Sequence, residues 1–491
     1  MKLSSILEGV SYKCVQGTVH KEIQGVSYDS RKVEQDSVFI CIEGAQVDGH
    51  QYAQEVVDGG ATVLVVSKEV TVETEVALTV LLVPDTRDAL ACLSAAYFGH
   101  PARELKVIGI TGTKGKTTTT YLVKSILEKA GYKVGLIGTI ETIIGDTVIP
   151  SLNTTPESYV LQQYFRQMVD ASCDIVVMEV SSQGLMLHRT AGFTFELGVF
   201  TNIQPDHIGE HEHSTYEDYR QCKSLLFQQC KVGLLNCDDP EYKHMLAHHT
   251  CHVETFGFAK EADLCAQDVQ LLRENGMLGV GFSVTGKQPM NVVVATPGTF
   301  SVYNALAAIS ICRYFQVPDE IIQKALLEVH VKGRIEVVPI SNEYTLMIDY
   351  AHNAMALESL LTTLQAYHPH RLVCLFGCGG NRAKSRRYEM GEVAGRLADL
   401  TIITSDNPRH EDPVAIIEDI KVGIGKTTGS YVEIVTRKEA IRYAIVNAQA
   451  GDIIVLAGKG HEDYQEIEGV KYPLDERILI QEIITEIGEI E

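Results

Sequence analysis

The sequence predicts an α/β protein built mainly on parallel sheets. Short runs of β-branched residues alternate with amphipathic helical stretches along the chain. Residues 175–178 are apolar at every position, which is typical of a strand covered on both faces. The length of 491 residues corresponds to about three domains of roughly 150 residues each.

Three regions follow from the order of these runs, at residues 1–102, 103–331 and 332–491. A Gly-His-Pro sequence at residues 99–101 predicts a linker after the first region. Polar clusters follow four strands of the third region, which predicts a binding crevice at their carboxyl ends. The predicted strands are residues 37–42, 61–66, 80–83, 107–110, 134–137, 175–180, 197–201, 346–348, 372–376, 400–404 and 453–456, with helices at 88–98 and 117–130.

Composition excludes several classes of protein. The 42 Lys and Arg against 64 Asp and Glu give a formal charge of −22, so neither nucleic acid nor an anionic membrane is expected as a partner. We find no apolar run of the roughly 18 residues that a membrane helix needs, and no secretory signal at the amino terminus. The 12 cysteines are scattered, which suits a reducing cytoplasm, and Cys374 and Cys378 are assigned to core and loop.

A glycine-rich turn between a predicted strand and helix is the strongest local motif, at residues 107–118. Backbone N–H groups at such a turn and the dipole of the following helix attract phosphate. Lys116 could reach the terminal phosphates of ATP, and the Thr117 hydroxyl could bind Mg²⁺. Ile110 stands where the strict pattern has glycine, so Gly112 and Gly115 are the turn glycines. Phosphate binding alone leaves a kinase, an ATPase switch and a ligase open.

Further motifs run from Tyr28-Asp-Ser-Arg31, through Met178-Glu-Val-Ser-Ser182 and Asp406-Asn-Pro-Arg409, to Gly458-Lys-Gly-His-Glu462. Together with the phosphate loop, they resemble the Mur ligase family, the ATP-dependent amide-bond enzymes of peptidoglycan assembly. The resemblance implies a three-domain architecture with a UDP-sugar-binding domain (1–102), a central P-loop ATPase-like parallel sheet (103–331) and a Rossmann-like C-terminal domain that binds the amino acid (332–491). The implied ATP-binding residues are Gly112, Thr113, Lys114, Gly115, Lys116, Thr117, Thr118, Asn202, Arg334 and Asp349.

Within the family, the pattern is that of enzymes that extend UDP-N-acetylmuramoyl-L-Ala-D-Glu by one amino acid. The turns at residues 28–31 and 48–50 look like the UDP-binding turns. Leu187 stands where the family often has Gln, which removes one polar contact. The implied contacts to this substrate are Ser30, Asn153, Thr154, Thr155, Ser181 and Arg189.

Glu179 ends a buried strand that faces the phosphate loop, and a carboxylate there is a good Mg²⁺ ligand. By resemblance, His207 is a second ligand. Lys223 lies where the family carries a carbamylated lysine, whose modified amine is an anionic oxygen ligand; the alternative is an exposed helical lysine. The resemblance therefore implies four metal ligands: Thr117, Glu179, His207 and Lys223. The implied catalytic residues are Lys116, Glu179, His207 and Lys223.

The histidines at 207, 211 and 213 could suggest a zinc site. Their spacing does not match common zinc patterns, so we expect His211 and His213 to be loop residues in solvent.

The sequence at residues 406–409 matches the family motif associated with meso-diaminopimelate. This amino acid differs from lysine by a distal carboxylate, and Arg382 and Arg409 could clamp it, since a guanidinium fork binds a carboxylate bidentately. L-Lysine remains the alternative, because the loop at residues 206–213 is long and Asn381 replaces a frequent Asp. The implied amino-acid site is Arg382, Asp406, Asn407, Pro408, Arg409, Gly458 and Glu462.

The implied reaction uses ATP and Mg²⁺ and passes through an acyl phosphate, in a cytoplasmic enzyme expected to be a monomer. Hinge closure at Arg334 would exclude water. We expect positive charge to concentrate in the crevice despite the acidic surface, on Lys116, Arg189, Arg334, Arg382 and Arg409. A folylpolyglutamate-synthetase-like ligase and a non-catalytic nucleotide switch remain the rivals.

Overall fold

The computed structural model describes residues 1–44, 47–209, 212–274, 276–286, 288–329 and 331–488. The chain divides into two compact units, Met1–Cys265 with Leu306–Ile321, and Ala266–Ala305 with Ile322–Glu491. The three predicted domain ranges are a finer division and stay a prediction. Among the described helices, none has the length and apolar character needed to cross a bilayer.

The first part of the chain forms a five-stranded sheet in the order β1-β5-β4-β3-β2. Strands β2 to β5 run parallel, and β1 pairs antiparallel with β5. The carboxylate of Asp85 caps α3 by accepting from the backbone N–H of Arg87 and Asp88. The elements are α1 (Leu3–Ile6), β1 (Lys13–Gln16), β2 (Val26–Ser27), β3 (Ser37–Ile40), α2 (Ala53–Asp58), β4 (Ala61–Val66), β5 (Thr79–Leu82) and α3 (Thr86–Tyr97), with 3₁₀ turns at Ser30–Lys32, Gly49–Tyr52 and Pro101–Arg103.

The middle part alternates strands and helices as predicted. Its elements are β6 (Lys106–Thr111), α4 (Lys116–Lys129), β7 (Val134–Ile137), β8 (Glu141–Ile144), β9 (Thr147–Pro150), α5 (Ser158–Asp170), β10 (Ile175–Glu179), α6 (Ser182–Met186), β11 (Phe195–Phe200), α7 (Tyr216–Ser224), β12 (Cys230–Asn236), α8 (Tyr242–Met245), β13 (His252–Gly257), β14 (Leu264–Glu274), β15 (Met277–Gly286), β16 (Met290–Val294), α9 (Thr299–Tyr314) and α10 (Asp319–Glu328), with a 3₁₀ turn at Leu225–Gln228.

Strand β6 lies at the centre of the first unit's large sheet, between β10 and β11. Strands β7, β10, β6, β11, β12 and β13 all run parallel, so their carboxyl ends lie at one edge. Every residue of β10 is buried, as its apolar sequence predicts. The loops that follow β6, β10 and β11 therefore lie next to one another, and these three loops carry most of the predicted nucleotide and metal residues.

The last part of the chain forms a sheet in the order β17-β18-β22-β19-β20-β21. Strands β18, β22, β19, β20 and β21 are parallel, so the polar clusters after β18, β19, β20 and β22 share one edge, as predicted. The elements are β17 (Glu336–Val338), β18 (Thr345–Asp349), α11 (Ala354–Gln365), β19 (Leu372–Phe376), α12 (Lys384–Leu397), β20 (Leu400–Ile403), α13 (Pro413–Ile424), β21 (Ser430–Glu433), α14 (Arg437–Val446), β22 (Ile453–Ala457), β23 (Tyr464–Ile467), β24 (Val470–Pro473) and α15 (Glu476–Gly488).

Candidate functional site

The phosphate loop connects β6 to α4, and two glycines shape it. Gly112 has a φ of +152°, and a Cβ at this position would lie 2.0 Å from the Thr201 hydroxyl oxygen. Gly115 has a φ of +86° and forms the N-cap of α4. Both positions require glycine, one for the close approach and one for the left-handed backbone. The turn predicted from the sequence is therefore present, and it ends at a 14-residue helix.

Two lysine amines converge on the carbonyl oxygen of Gly112. Lys116 Nζ donates to it at 2.8 Å and to the Thr113 carbonyl at 3.1 Å, and Lys223 Nζ donates to it at 3.0 Å. Lys223 is only 2% exposed, which excludes the alternative of an exposed helical lysine. Burial, reinforced by the nearby charge of Lys116, holds the pKa of Lys223 well below its usual range. The Lys223 amine is therefore biased toward its neutral form, which is the form that reacts with CO₂.

Tyr219 positions Lys223 and was missed by the sequence analysis. It lies one turn before Lys223 on α7, and the Lys223 amine sits 4.5 Å from its ring centroid. The buried Tyr219 hydroxyl lies 2.9 Å from the Thr113 hydroxyl, which ties α7 to the phosphate loop. The spacing of four residues on one helix was the available signal.

Glu179 is a buried carboxylate beside the phosphate loop. It is 1% exposed, and its Oε1 accepts from the Thr117 hydroxyl at 3.0 Å. Thr139 donates to both carboxylate oxygens, through its backbone N–H at 2.9 Å and its hydroxyl at 3.0 Å. The paired hydroxyl and carboxylate oxygens of Thr117 and Glu179 are the donors that a hard cation prefers, so this corner of the site fits Mg²⁺.

His207 contacts its own loop and helix α7. Its side chain is half-exposed, and its Nδ1 lies 3.1 Å from Glu212 Oε1. Its ring centroid is 6.0 Å from that of Tyr219. Since these contacts are with Glu212 and Tyr219, the part of His207 as a magnesium ligand stays a prediction.

Asn202 braces the phosphate loop from the neighbouring strand end. Its side-chain oxygen accepts from the Lys114 N–H at 2.9 Å, and its side-chain nitrogen donates to the Lys114 carbonyl at 3.0 Å. Its own carbonyl accepts from the Thr113 N–H at 2.9 Å. Direct contact between Asn202 and ATP stays a prediction, whereas its contact with the loop is part of the structure.

Thr155 connects the magnesium corner, formed by Thr117 and Glu179, with the segment predicted to bind the substrate. It is fully buried, and its hydroxyl donates to the Glu179 carbonyl and accepts from the Ser181 N–H, both at 3.0 Å. Its carbonyl accepts from Arg189 Nη1 at 2.9 Å, while Arg189 Nη2 pairs with Glu157 Oε1 at 2.7 Å. These contacts give Thr155 a bracing part. The more exposed neighbours Asn153 and Thr154 remain the predicted contacts to substrate in this segment.

The turns predicted for UDP lie in the first sheet region. Asp29 caps the 3₁₀ turn that begins at Ser30, and Arg31 forms two hydrogen bonds to its carboxylate, which lower the pKa of Asp29. His50 is buried. Its Nδ1 lies 2.6 Å from Asp48 Oδ1, and its Nε2 accepts from the backbone N–H of Ser67. Ser30 is partly exposed at this turn. Its contact with the UDP-linked substrate stays a prediction.

The expectation that His213 lies in solvent is wrong. Its side chain has no exposed area, and its Nε2 lies 2.8 Å from the Ser182 hydroxyl. Its ring packs 5.2 Å from Tyr219. The loop folds back onto α6 and α7, a long-range packing that no local pattern reveals. His211, for which the same was expected, lies outside the described residues.

In the second unit, Asn407 lies at the centre of a polar network after β20. Its side-chain oxygen accepts from Lys459 Nζ at 3.2 Å and from the Glu466 N–H at 2.9 Å. Its side-chain nitrogen donates to Glu462 Oε2 at 2.8 Å, and Lys459 Nζ donates to the same oxygen at 3.0 Å. Lys459 is fully buried and was missed by the sequence analysis. The run of glycines around it, at 458 and 460, was the only signal.

Arg409 reaches into the same network. Its Nε pairs with Glu466 Oε2 at 3.1 Å, and its Nη1 donates to the Gly380 carbonyl at 2.7 Å. A Cβ on Gly380 would lie 1.9 Å from the Pro408 carbonyl oxygen, so the loop after β19 packs directly against this motif. Arg382, on that same loop, is exposed. The predicted arginine clamp therefore has one arginine held in place and one on the surface.

Asp406 and Gly458 meet at the adjoining strand ends. Gly458 has a φ of +109°, and a Cβ there would lie 3.0 Å from Asp406 Oδ2. The buried Arg437 donates from Nε to Glu476 Oε1 at 2.8 Å and approaches Asp406 Oδ2 at 3.9 Å. Arg437 thus places a buried positive charge near Asp406, the first residue of the motif at 406–409.

Arg334 and Asp349 lie beside the first strand of this sheet. The Asp349 carboxylate accepts from the backbone N–H of Ile335 and Ala351, each at 2.8 Å. Burial raises the pKa of Asp349, and the Arg334 charge opposes that shift. The Arg334 guanidinium lies 4.7 Å over the Tyr350 ring. Ile335 has a φ of +46°, which is strained for a β-branched residue. It directly follows Arg334, where hinge closure is predicted.

Three family descriptions match successive stretches of the chain. They are the Mur ligase family catalytic domain at residues 22–98, the Mur ligase middle domain at 110–312 and the Mur ligase glutamate ligase domain at 333–460. The UDP-N-acetylmuramoyl-L-alanyl-D-glutamate--2,6-diaminopimelate ligase of Caldanaerobacter subterraneus subsp. tengcongensis is 43% identical over 488 residues, which cover 99% of each chain.

Solved structures agree with this match. A UDP-N-acetylmuramoyl-L-alanyl-D-glutamate--2,6-diaminopimelate ligase superimposes with a TM-score of 0.72 at 29% identity, over 95% of this chain and 96% of that one. Escherichia coli FolC, solved with DHPP and ADP, has a TM-score of 0.58 at 17% identity, over 82% of this chain and 92% of its own. The second likeness shows a shared fold. The full-length relative at 43% identity shows more: the chain belongs to the Mur ligase family.

Proposed function

We propose that this chain is the ATP-dependent ligase that joins meso-diaminopimelate to the D-Glu of UDP-N-acetylmuramoyl-L-Ala-D-Glu in peptidoglycan biosynthesis. The observation that carries the proposal is the phosphate loop, on which two amines share one carbonyl beside a buried carboxylate and hydroxyl pair. The relatives named as diaminopimelate ligases support the choice of amino acid.

In the first step, an oxygen of the D-Glu γ-carboxylate attacks the γ-phosphorus of ATP. The bond from that phosphorus to the β–γ bridging oxygen breaks, and ADP leaves with the electron pair. Lys116, released from the loop carbonyls, neutralises charge that develops on the phosphoryl oxygens. Bound Mg²⁺ supplies further positive charge to the phosphates. Thr117 and Glu179, with carbamylated Lys223 and His207, would hold it.

In the second step, the neutral amine of the amino acid attacks the acyl carbon of the acyl phosphate. The tetrahedral intermediate loses the amine proton and expels inorganic phosphate, which leaves the amide. The amino acid is oriented by Asn407, Arg409 and Glu462. Arg409 binds its distal carboxylate, and Glu462 binds its distal ammonium group. These roles follow from the charges of the side chains, because each one is opposite to the charge of the group it binds.

The test is ADP release from the full chain with ATP and Mg²⁺. We expect release to require both the UDP-linked dipeptide and meso-diaminopimelate. Release without either acceptor would indicate a nucleotide switch, and release with a folate and glutamate would indicate the folylpolyglutamate type. Transfer of ¹⁸O from the substrate carboxylate to phosphate is the signature of the acyl phosphate, and its absence would contradict the two-step route.

A further inference from the structure

Three potential metal ligands converge outside the magnesium corner. His213, Asp218 and Cys222 place one ligand atom each within 4.8 Å of one another. Asp218 and Cys222 lie one turn apart on α7, and His213 approaches from the preceding loop. Within the part of the chain that the structure describes, this is the one such group of three His, Cys, Asp or Glu side chains.

Two separations within this cluster, each to a different oxygen of Asp218, are close to the edges of a zinc tetrahedron. His213 Nδ1 lies 3.4 Å from Asp218 Oδ2, and Cys222 Sγ lies 3.5 Å from Asp218 Oδ1. Zinc binds nitrogen and oxygen at about 2.0–2.2 Å and sulfur at about 2.3 Å, which gives tetrahedral edges of about 3.3–3.6 Å. Since all three ligand atoms lie within 4.8 Å of one another, side-chain rotation would bring them around one ion.

The His213 ring is oriented for metal binding. Its Nε2 lies 2.8 Å from the Ser182 hydroxyl, while its buried Nδ1 has no hydrogen-bond partner among the described residues. The Asp218 carboxylate approaches Nδ1, at 3.4 Å. When the far ring nitrogen donates to an oxygen, the near nitrogen is fixed as the lone-pair atom, which is the usual second contact of a metal-bound histidine. With Nε2 donating to the Ser182 hydroxyl, the Nδ1 lone pair would face Asp218 and Cys222.

We propose that His213, Asp218 and Cys222 form a zinc site, with Nδ1, a carboxylate oxygen and the thiolate as ligands and a fourth position for water. Binding releases one proton, from the Cys222 thiol. Imidazole and thiolate select zinc, whereas Mg²⁺ prefers oxygen ligands alone, so this site and the magnesium corner differ in chemistry. The proposal stands independently of the proposed ligase activity.

A zinc ion here would fasten the loop of His207 to helix α7. The His213 N–H already donates to the His207 carbonyl, and the His213 carbonyl accepts from the Gly209 N–H. Cys222 directly precedes Lys223 on α7. The ion would thus hold in one arrangement two segments that carry predicted magnesium ligands, and its expected effect is structural.

The zinc test uses the full chain, first dialysed against a chelator to remove metal and then reloaded with Zn²⁺. We expect one Zn²⁺ per chain to remain bound after gel filtration in millimolar Mg²⁺, measured by elemental analysis. Co²⁺ substituted for zinc should show a thiolate-to-cobalt charge-transfer band. Cobalt bound without that band, or no zinc retained at one per chain, would overturn the proposal even without any variant.

Variants then assign the ligands. We expect Cys222→Ser to remove the charge-transfer band and to weaken zinc binding more than tenfold, and Ser182→Ala to weaken it by about tenfold through loss of the second contact. Cys237→Ser, at a half-buried cysteine elsewhere, and His207→Ala are the matched controls and should leave zinc binding unchanged. Unchanged binding in Cys222→Ser, or equal losses in Cys237→Ser or His207→Ala, would place the ion elsewhere and refute the assignment.

Discussion

The two candidate sites differ in what their basic side chains contact. In the first unit, the amines of Lys116 and Lys223 both donate to one backbone carbonyl, that of Gly112. In the second unit, the cations Arg409 and Lys459 lie against carboxylates, those of Glu466 and Glu462.

This difference corresponds to the charge of the ligand each site is proposed to bind. The phosphates of ATP bring several negative charges, and the Lys116 amine, which donates to neutral carbonyls, can exchange such a partner for a phosphate. Diaminopimelate carries both ammonium and carboxylate groups, so a site that mixes cations with carboxylates complements it. Loss of a cation should therefore be most damaging in the first site and more selective in the second.

Removing the charge of Lys116 should have the largest effect. We expect Lys116→Met to lower kcat for ADP release by about 10³, because the developing phosphoryl charge loses its nearest cation. Lys124→Met, on the same helix, removes an amine that pairs with Glu128 at 2.7 Å and should leave kcat unchanged. A loss of similar size in both variants would show that α4 is merely destabilised.

Lys223 should act through its carbamate. We expect Lys223→Arg to lower kcat by about 10², because a guanidinium stays positively charged and cannot take up CO₂ to become an anionic metal ligand. Native mass spectrometry should find the mass of one CO₂ on the wild type and none on the variant. Lys231→Arg, at an exposed lysine, is the control. Full activity in CO₂-free buffer would contradict the carbamate.

Arg409 should affect one substrate selectively. We expect Arg409→Ala to raise KM for meso-diaminopimelate about a hundredfold, because a carboxylate loses its guanidinium partner, and to leave KM for ATP unchanged. Arg396→Ala removes a surface arginine paired with Glu358 and serves as the control. A parallel rise in KM for ATP would erase the distinction between the two sites.

Lys459 should have the smallest of these effects, since it positions other side chains. We expect Lys459→Met to raise KM for the amino acid about tenfold while kcat changes little, because Asn407 and Glu462 each lose one hydrogen bond. Lys471→Met removes an exposed amine that sits 4.0 Å over a tyrosine ring and is the matched control. A change in kcat with unchanged KM would contradict a positioning part.

Local sequence patterns predicted the strands and the phosphate loop well. The ranges 61–66, 134–137 and 372–376 coincide with observed strands, because β-branched runs and flanking turn residues encode them locally. The loop glycines at 112 and 115 were identified for the same reason. These features depend on neighbours in the sequence.

Burial of polar residues was not predictable in this way. Lys223 is buried because a carbonyl 111 residues earlier accepts its hydrogen bond, and Lys459 because Asn407, 52 residues earlier, does so. His213 was expected in solvent, yet it packs on a hydroxyl 31 residues earlier. Helical or loop periodicity carries no information about such partners, so the identity of these residues was readable and their surroundings were not.

The most direct measurement is kcat/KM for meso-diaminopimelate and for L-lysine, with the same full-length enzyme, ATP, Mg²⁺ and UDP-linked dipeptide. Because Arg409 would lose its carboxylate partner with lysine, we predict a preference for meso-diaminopimelate of at least about a hundredfold. Equal values, or a preference for lysine, would contradict the proposed substrate and the complementarity of the second site.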